Sequence, residues 1–262
     1  MAKDDLFGNV NLYDALDNNS FRVSFQPQIH LVTGQVIGAC ALSRYFAEDG
    51  RVILPSEYLA KFEEDGFIKN LDFFVFEEVC KLQSKWTSYF GEGLFPMPIS
   101  INFSRTWFNE RYFIPALEGL IGKYGVKPEL IEIEISELGA IKSPESFARV
   151  FRELKRIGFR CSVDYFGKTG ITTPLIGGID ADTLKVSREC IAMAKQYEES
   201  RKRFSEVVTY AEDLGMDVVA VGAESESDLK FLSDLGCRCV QGFIFAEPLP
   251  KAMFISFVKE RE

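Results

Sequence analysis

Residues 130–137 read Leu-Ile-Glu-Ile-Glu-Ile-Ser-Glu, and the fold is argued outward from them. Strict alternation over residues 130–135 predicts a strand. Ile131, Ile133 and Ile135 share one face, and Glu132 and Glu134 share the other. The flanks are helical in period: residues 109–124 before, stopped by Gly125, and residues 143–157 after, opened by Ser-Pro-Glu and stopped by Gly158. A strand between two helices belongs to a covered, mainly parallel sheet. Two carboxylates on one face of such a strand are costly to bury unless they are paired or hold a cation. We read Glu134 as a site residue, and Glu132 as reaching solvent or a structural partner.

The same rhythm runs through the chain. Residues 21–29 and 35–44 form an opening hairpin around Thr33-Gly34. Helices follow at 55–64 and 70–86, strands at 98–103, 159–163, 182–186, 217–221 and 238–245, and helices at 189–214 (one or two), 225–235 and 250–260. About eight strands in ~240 residues suit a closed (β/α)8 barrel of the TIM type. An open doubly wound sheet is the alternative, and no G-x-G-x-x-G follows an early strand to support it. No linker or repeat divides residues 1–262, so one domain is expected, with residues 1–10 as a lead-in.

The bulk composition narrows the function. The chain has 262 residues, 47% hydrophobic, with 24 Phe and a formal net charge of −9. An acidic chain is a poor non-specific partner for nucleic acid or an anionic membrane. No run of ~18 apolar residues and no leader pattern occur, so a cytoplasmic location without membrane association is expected. Six cysteines without a C-x-x-C pair, and one distant histidine (His30), read as free thiols rather than zinc ligands.

In a barrel of this kind the chemistry sits at the C-terminal ends of the strands. Those ends supply Gln26, Leu42, Arg44, Asn102, Glu134, Asp164, Lys185, Ser187, Glu224 and Gln241. Asn102, Glu134 and Asp164 form an oxygen-only donor set suited to Mg, Mn or Ca. Lys185 suits a phosphate, an attacking water or an ion pair with Glu134 or Asp164.

The ordered segments F-Q-P-Q-I (25–29), G-A-C-A-L-S-R-Y (38–45), S-I-N-F-S (100–104), I-E-I-E-I-S-E (131–137), V-D-Y-F-G-K-T-G (163–170), L-K-V-S-R (184–188), V-V-A-V-G-A-E (218–224) and C-V-Q-G-F-I-F-A-E-P-L-P (239–250) resemble the EAL domain of cyclic-di-GMP phosphodiesterases. The resemblance runs from about residue 12 to 259. It implies a modified barrel whose first strand is antiparallel, and hydrolysis of cyclic-di-GMP to pGpG with two Mg or Mn ions. It also implies roles. Asn102, Glu134 and Asp164 fall on metal ligands, Glu137 on a loop anchor, Lys185 and Glu224 on catalytic positions, and Gln26, Leu42, Arg44, Asn102 and Gln241 on ligand-binding ones.

Four carboxylates that the resemblance calls for are replaced, by Cys40, Tyr165, Ser187 and Val221. Two adjacent divalent ions need several carboxylates to offset their repulsion. Valine has no lone pair, a tyrosine phenol is neutral near pH 7, and sulfur is a soft ligand for Mg. The expectation is a degenerate site without hydrolysis, holding at most one ion, with no cofactor bound and Mg or Mn as the only fitting metals. The loop from Lys168 to Asp180 also departs from the family pattern, with Pro174 stiffening it. Three functions remain: a cyclic-di-GMP receptor, a nucleotide-independent protein–protein regulator, and a weak metal-dependent phosphodiesterase. A protein partner is expected in the first two, and a homodimer is compatible with all three.

Overall fold

The computed structural model describes Phe7 and residues 10–136, 144–166 and 180–261. Glu137, Lys168 and Pro174 lie outside the described residues, as does the side chain of Tyr165. Eight strands close a mixed barrel: β1 (Phe21–His30), β2 (Val36–Phe46), β4 (Ile99–Asn102), β5 (Ile131–Ser136), β6 (Arg160–Phe166), β7 (Thr183–Val186), β8 (Asp217–Val221) and β9 (Cys239–Gln241). From β2 through β4 to β9 neighbours pair in parallel, while β1 is antiparallel to both β2 and β9 and closes the ring. The barrel is thus of the TIM type with a reversed first strand, the architecture that the resemblance implied. Because β1 is reversed, Phe21 lies at the end where the other strands finish, called here the mouth.

Two short strands, β3 (Val52–Ile53) and β10 (Leu249–Pro250), extend the sheet. Among the described residues the helices are α1 (Leu12–Asp17), α2 (Pro55–Asp65), α3 (Ile68–Gln83), α4 (Trp86–Phe90), α5 (Phe113–Tyr124), α6 (Pro144–Ile157), α7 (Arg188–Gln196), α8 (Glu198–Asp213), α9 (Glu226–Asp234) and α10 (Lys251–Lys259).

Alternation along β5 divides the molecule. Ile131, Ile133 and Ile135 face outward and join the main apolar core with Phe76, Phe103 and Phe159. Glu132 and Glu134 face into the barrel. A second apolar cluster lies beside the mouth. There the outer halves of β1 and β2 rise above the barrel, and their odd-numbered residues Phe21 and Tyr45 pack with Tyr58, Phe62 and Phe67 around Phe7. Their even-numbered residues therefore face the mouth.

Several expected bounds shift. The strand expected at 238–245 stops at Gln241, because the chain turns at Gly242 against the backbone of Ala223. A Cβ on Gly242 would lie 2.1 Å from the Ala223 carbonyl oxygen. The helix expected from residue 109 begins at Phe113 after a 3-10 turn (Arg105–Asn109), and residues 189–214 form two helices. No described helix is long and apolar enough to cross a membrane.

Candidate functional site

The register stacks polar side chains inside the barrel. Cys40 lies opposite Ser100 and Gln26, Ser100 opposite Glu132, Asn102 opposite Glu134, and Glu134 opposite Ser162. At the centre the Lys185 ammonium forms an ion pair with Glu134 Oε2 and donates to Ser100 Oγ at 2.9 Å. Lys185 is 1% exposed and Glu134 3%. Burial disfavours the lysine's charge, but Glu134 and the other acidic groups around it prevail and raise its pKa. The thiol of Cys40 points at Glu134 Oε2 (3.8 Å) and receives Asn102 Nδ2 (3.7 Å). Burial, reinforced by Glu134, pushes that thiol up to about 12, so it stays a neutral S–H.

Four of the residues singled out in the sequence, Cys40, Asn102, Glu134 and Lys185, therefore meet in direct contact. Asp164 is buried one layer nearer the mouth, opposite Ser136. Val221 lies opposite Gln241. Gln241 donates to Gln26 (3.0 Å) and accepts from Gln28 (3.2 Å), while Gln26 donates to the Ala246 carbonyl (3.3 Å). Leu42 and Arg44 stand successively farther out along β2.

Two residues lie elsewhere. Ser187 caps α7 by accepting from the Cys190 N–H at 3.2 Å. Glu224 is exposed and held by Arg188 Nη2 at 2.7 Å. Gly222, at φ +92°, turns the chain that way, and the Arg188 stem lies where a side chain on Gly222 would stand.

The sequence reading missed Ser100 and Gln28, which carried no signal beyond their inward parity. It also missed the partners of Glu132, which is buried at the lower end of β5. Glu132 accepts from Thr183 Oγ1 at 2.8 Å and from Arg160 Nε at 3.3 Å.

These residues do not fit a pair of divalent cations. Glu134 is already neutralised by Lys185, Cys40 is protonated, and Val221 offers no donor. Among the described residues, no group of three or more His, Cys, Asp or Glu is placed to hold a metal ion.

The family model for the EAL domain matches residues 9–248. The chain belongs to the EAL domain family. Among curated relatives it is 27% identical over 250 residues to the signaling protein YkoW of Bacillus subtilis, covering 95% of this chain and 31% of that protein. It is 25% identical to the bifunctional diguanylate cyclase/cyclic di-GMP phosphodiesterase MucR of Pseudomonas aeruginosa, covering 95% of this chain and 36% of that protein. The chain thus spans about a third of the length of these relatives. The EAL fold is also that of a solved PaMucR phosphodiesterase complex with c-di-GMP (TM-score 0.85, 24% identity, 93% of this chain and 97% of that one). It is likewise that of the FimX EAL domain from Pseudomonas aeruginosa bound to c-di-GMP (TM-score 0.80, 20% identity, 91% and 94%).

Proposed function

We propose that this EAL domain binds cyclic-di-GMP as a receptor and does not hydrolyse it. The observation that carries this reading is the buried Lys185–Glu134 ion pair with the Cys40 thiol laid against it. An internal ammonium compensates Glu134, the carboxylate that meets Cys40, in place of a metal ion. Fewer carboxylates also lower the repulsion felt by a dianionic ligand. Asn102, Leu42, Arg44 and Gln26 remain to receive it, and Arg44 offers a guanidinium for a phosphate. Glu137 as loop anchor, Lys185 and Glu224 as catalytic remnants, and Asp164 as a ligand of at most one Mg or Mn ion complete the proposed remnant site. A protein partner would read the bound state, and self-association is part of the same proposal.

The expected outcome of calorimetry is binding of cyclic-di-GMP that magnesium leaves unchanged, with no pGpG formed. Metal-dependent turnover above contaminant level would overturn it. One observation favours the nucleotide-independent regulator instead: Gln26 and Gln241 already satisfy each other and their neighbours. Absence of heat at high micromolar ligand selects that reading.

A further inference from the structure

Where β1 and β2 rise above the barrel, Arg22 stands directly opposite Arg44 in the antiparallel register. Both are even-numbered, on the face that carries Gln26 and Cys40 lower down, so both guanidinium groups border the mouth. Like charges directly opposite each other on a sheet are destabilising. No carboxylate forms an ion pair with either among the described residues. Arg22 donates from Nε to the Asn19 carbonyl (3.1 Å) and lies over the Phe46 ring at 4.2 Å. Among the described residues, Arg44 donates from Nη1 to the carbonyl of adjacent Ser43 (3.4 Å). Glu247 is felt by Arg44 but makes no ion pair with it, and half-burial lowers the Arg44 pKa. Two adjacent guanidinium groups without an ion-pair partner among the described residues, one held flat by an aromatic ring, present a fork of donors complementary to phosphate oxygens.

We propose that Arg22 and Arg44 together form a phosphate-binding lip at the barrel mouth, with Arg22 as a second binding residue for a phosphodiester ligand. The identity of that ligand as cyclic-di-GMP rests on the receptor reading above; the lip itself does not. The phosphate is bridged between β1 and β2, and Phe46 fixes the plane of the Arg22 group.

The test uses two probes. Inorganic pyrophosphate is titrated while the Nε–Hε signals of both arginines are followed by NMR, and cyclic-di-GMP is titrated by calorimetry. Pyrophosphate is expected to shift both signals, and Arg22→Gln to abolish the response at Arg44. For one partly exposed charged contact, Arg22→Gln should weaken cyclic-di-GMP binding about fivefold. Arg22→Lys, which keeps the charge but loses the flat fork, should fall between. An unchanged melting midpoint in both variants excludes misfolding. If cyclic-di-GMP binds but pyrophosphate moves neither arginine, or if Arg22→Gln binds cyclic-di-GMP as tightly as the parent, the lip is overturned while the receptor reading stands. If pyrophosphate moves both arginines and cyclic-di-GMP does not bind, the lip stands and the receptor reading falls. If neither probe binds, both fall.

Discussion

Glu132 and Glu134 sit two residues apart on one face of one strand, almost equally buried, yet the barrel treats them differently. Glu132, at the lower end, is served by β6, whose Arg160 lies beside it in register and is also bonded to exposed Asp217 at 2.9 Å. A neutral hydroxyl, Thr183, shares the load. Glu134, toward the mouth, has only Ser162 beside it on β6. Its cation comes from β7, one strand farther round, and Lys185 crosses the lumen to reach it. The lower pair is tethered to solvent, and the upper pair is sealed. A sealed pair is costly to break from either side, because whichever partner remains is a buried unmatched charge.

The sharpest way to break the comparison is Lys185→Met. It should cost about 3–5 kcal/mol in denaturant unfolding, and adding Glu134→Gln should recover most of that loss. A cost under about 1 kcal/mol would mean that Glu134 reaches water and the upper pair is not sealed.

Asp72 supplies the next contrast, a buried carboxylate with no paired cation among the described residues. On α3 it accepts from the Ser104 N–H (3.0 Å) and the Trp107 indole (2.9 Å), with Glu63 the nearby charge. Burial pushes it up to about 7 from an ordinary 3.8. Between these values the unfolded chain binds fewer protons than the folded one, so stability should fall as pH rises from about 4 to about 7 and level off above. Urea midpoints measured across that range should show this slope, and Asp72→Asn should flatten it. Equal slopes in both proteins would remove the distinction between cation-paired and neutral-donor carboxylates.

The smallest effect is expected at the lower pair. Arg160→Gln should cost about 1–2 kcal/mol, since the Thr183 hydroxyl still serves Glu132 and solvent is near. A loss equal to that of Lys185→Met would erase the asymmetry between the two ends.

The barrel and the convergence of Cys40, Asn102, Glu134 and Lys185 were legible, because strand alternation and strand-end position are local properties of sequence. The pairing of Glu132 with Arg160 was not, and the sequence left Lys185 open between Glu134, Asp164, a phosphate and a water. Register between strands distant in sequence chooses those partners, and alternation alone treats the two glutamates alike. Ser100 was invisible for the same reason, as a short hydroxyl in an apolar strand. Glu224 seemed to belong at a strand end, but the positive φ of Gly222 carries it outward to Arg188. Helix α1 and strand β3 were missed because each is too short for periodicity to register.

The reversed course of β1 has a consequence for architecture. An ordinary barrel strand would bring the polypeptide in from below, far from the chemistry. Here the path into Phe21 descends past the rim, so the chain enters the barrel at the end where Asn102 and Asp164 stand. Backbone entry and the polar strand ends share one doorway, and Ser24 and Gln26 are buried just inside it.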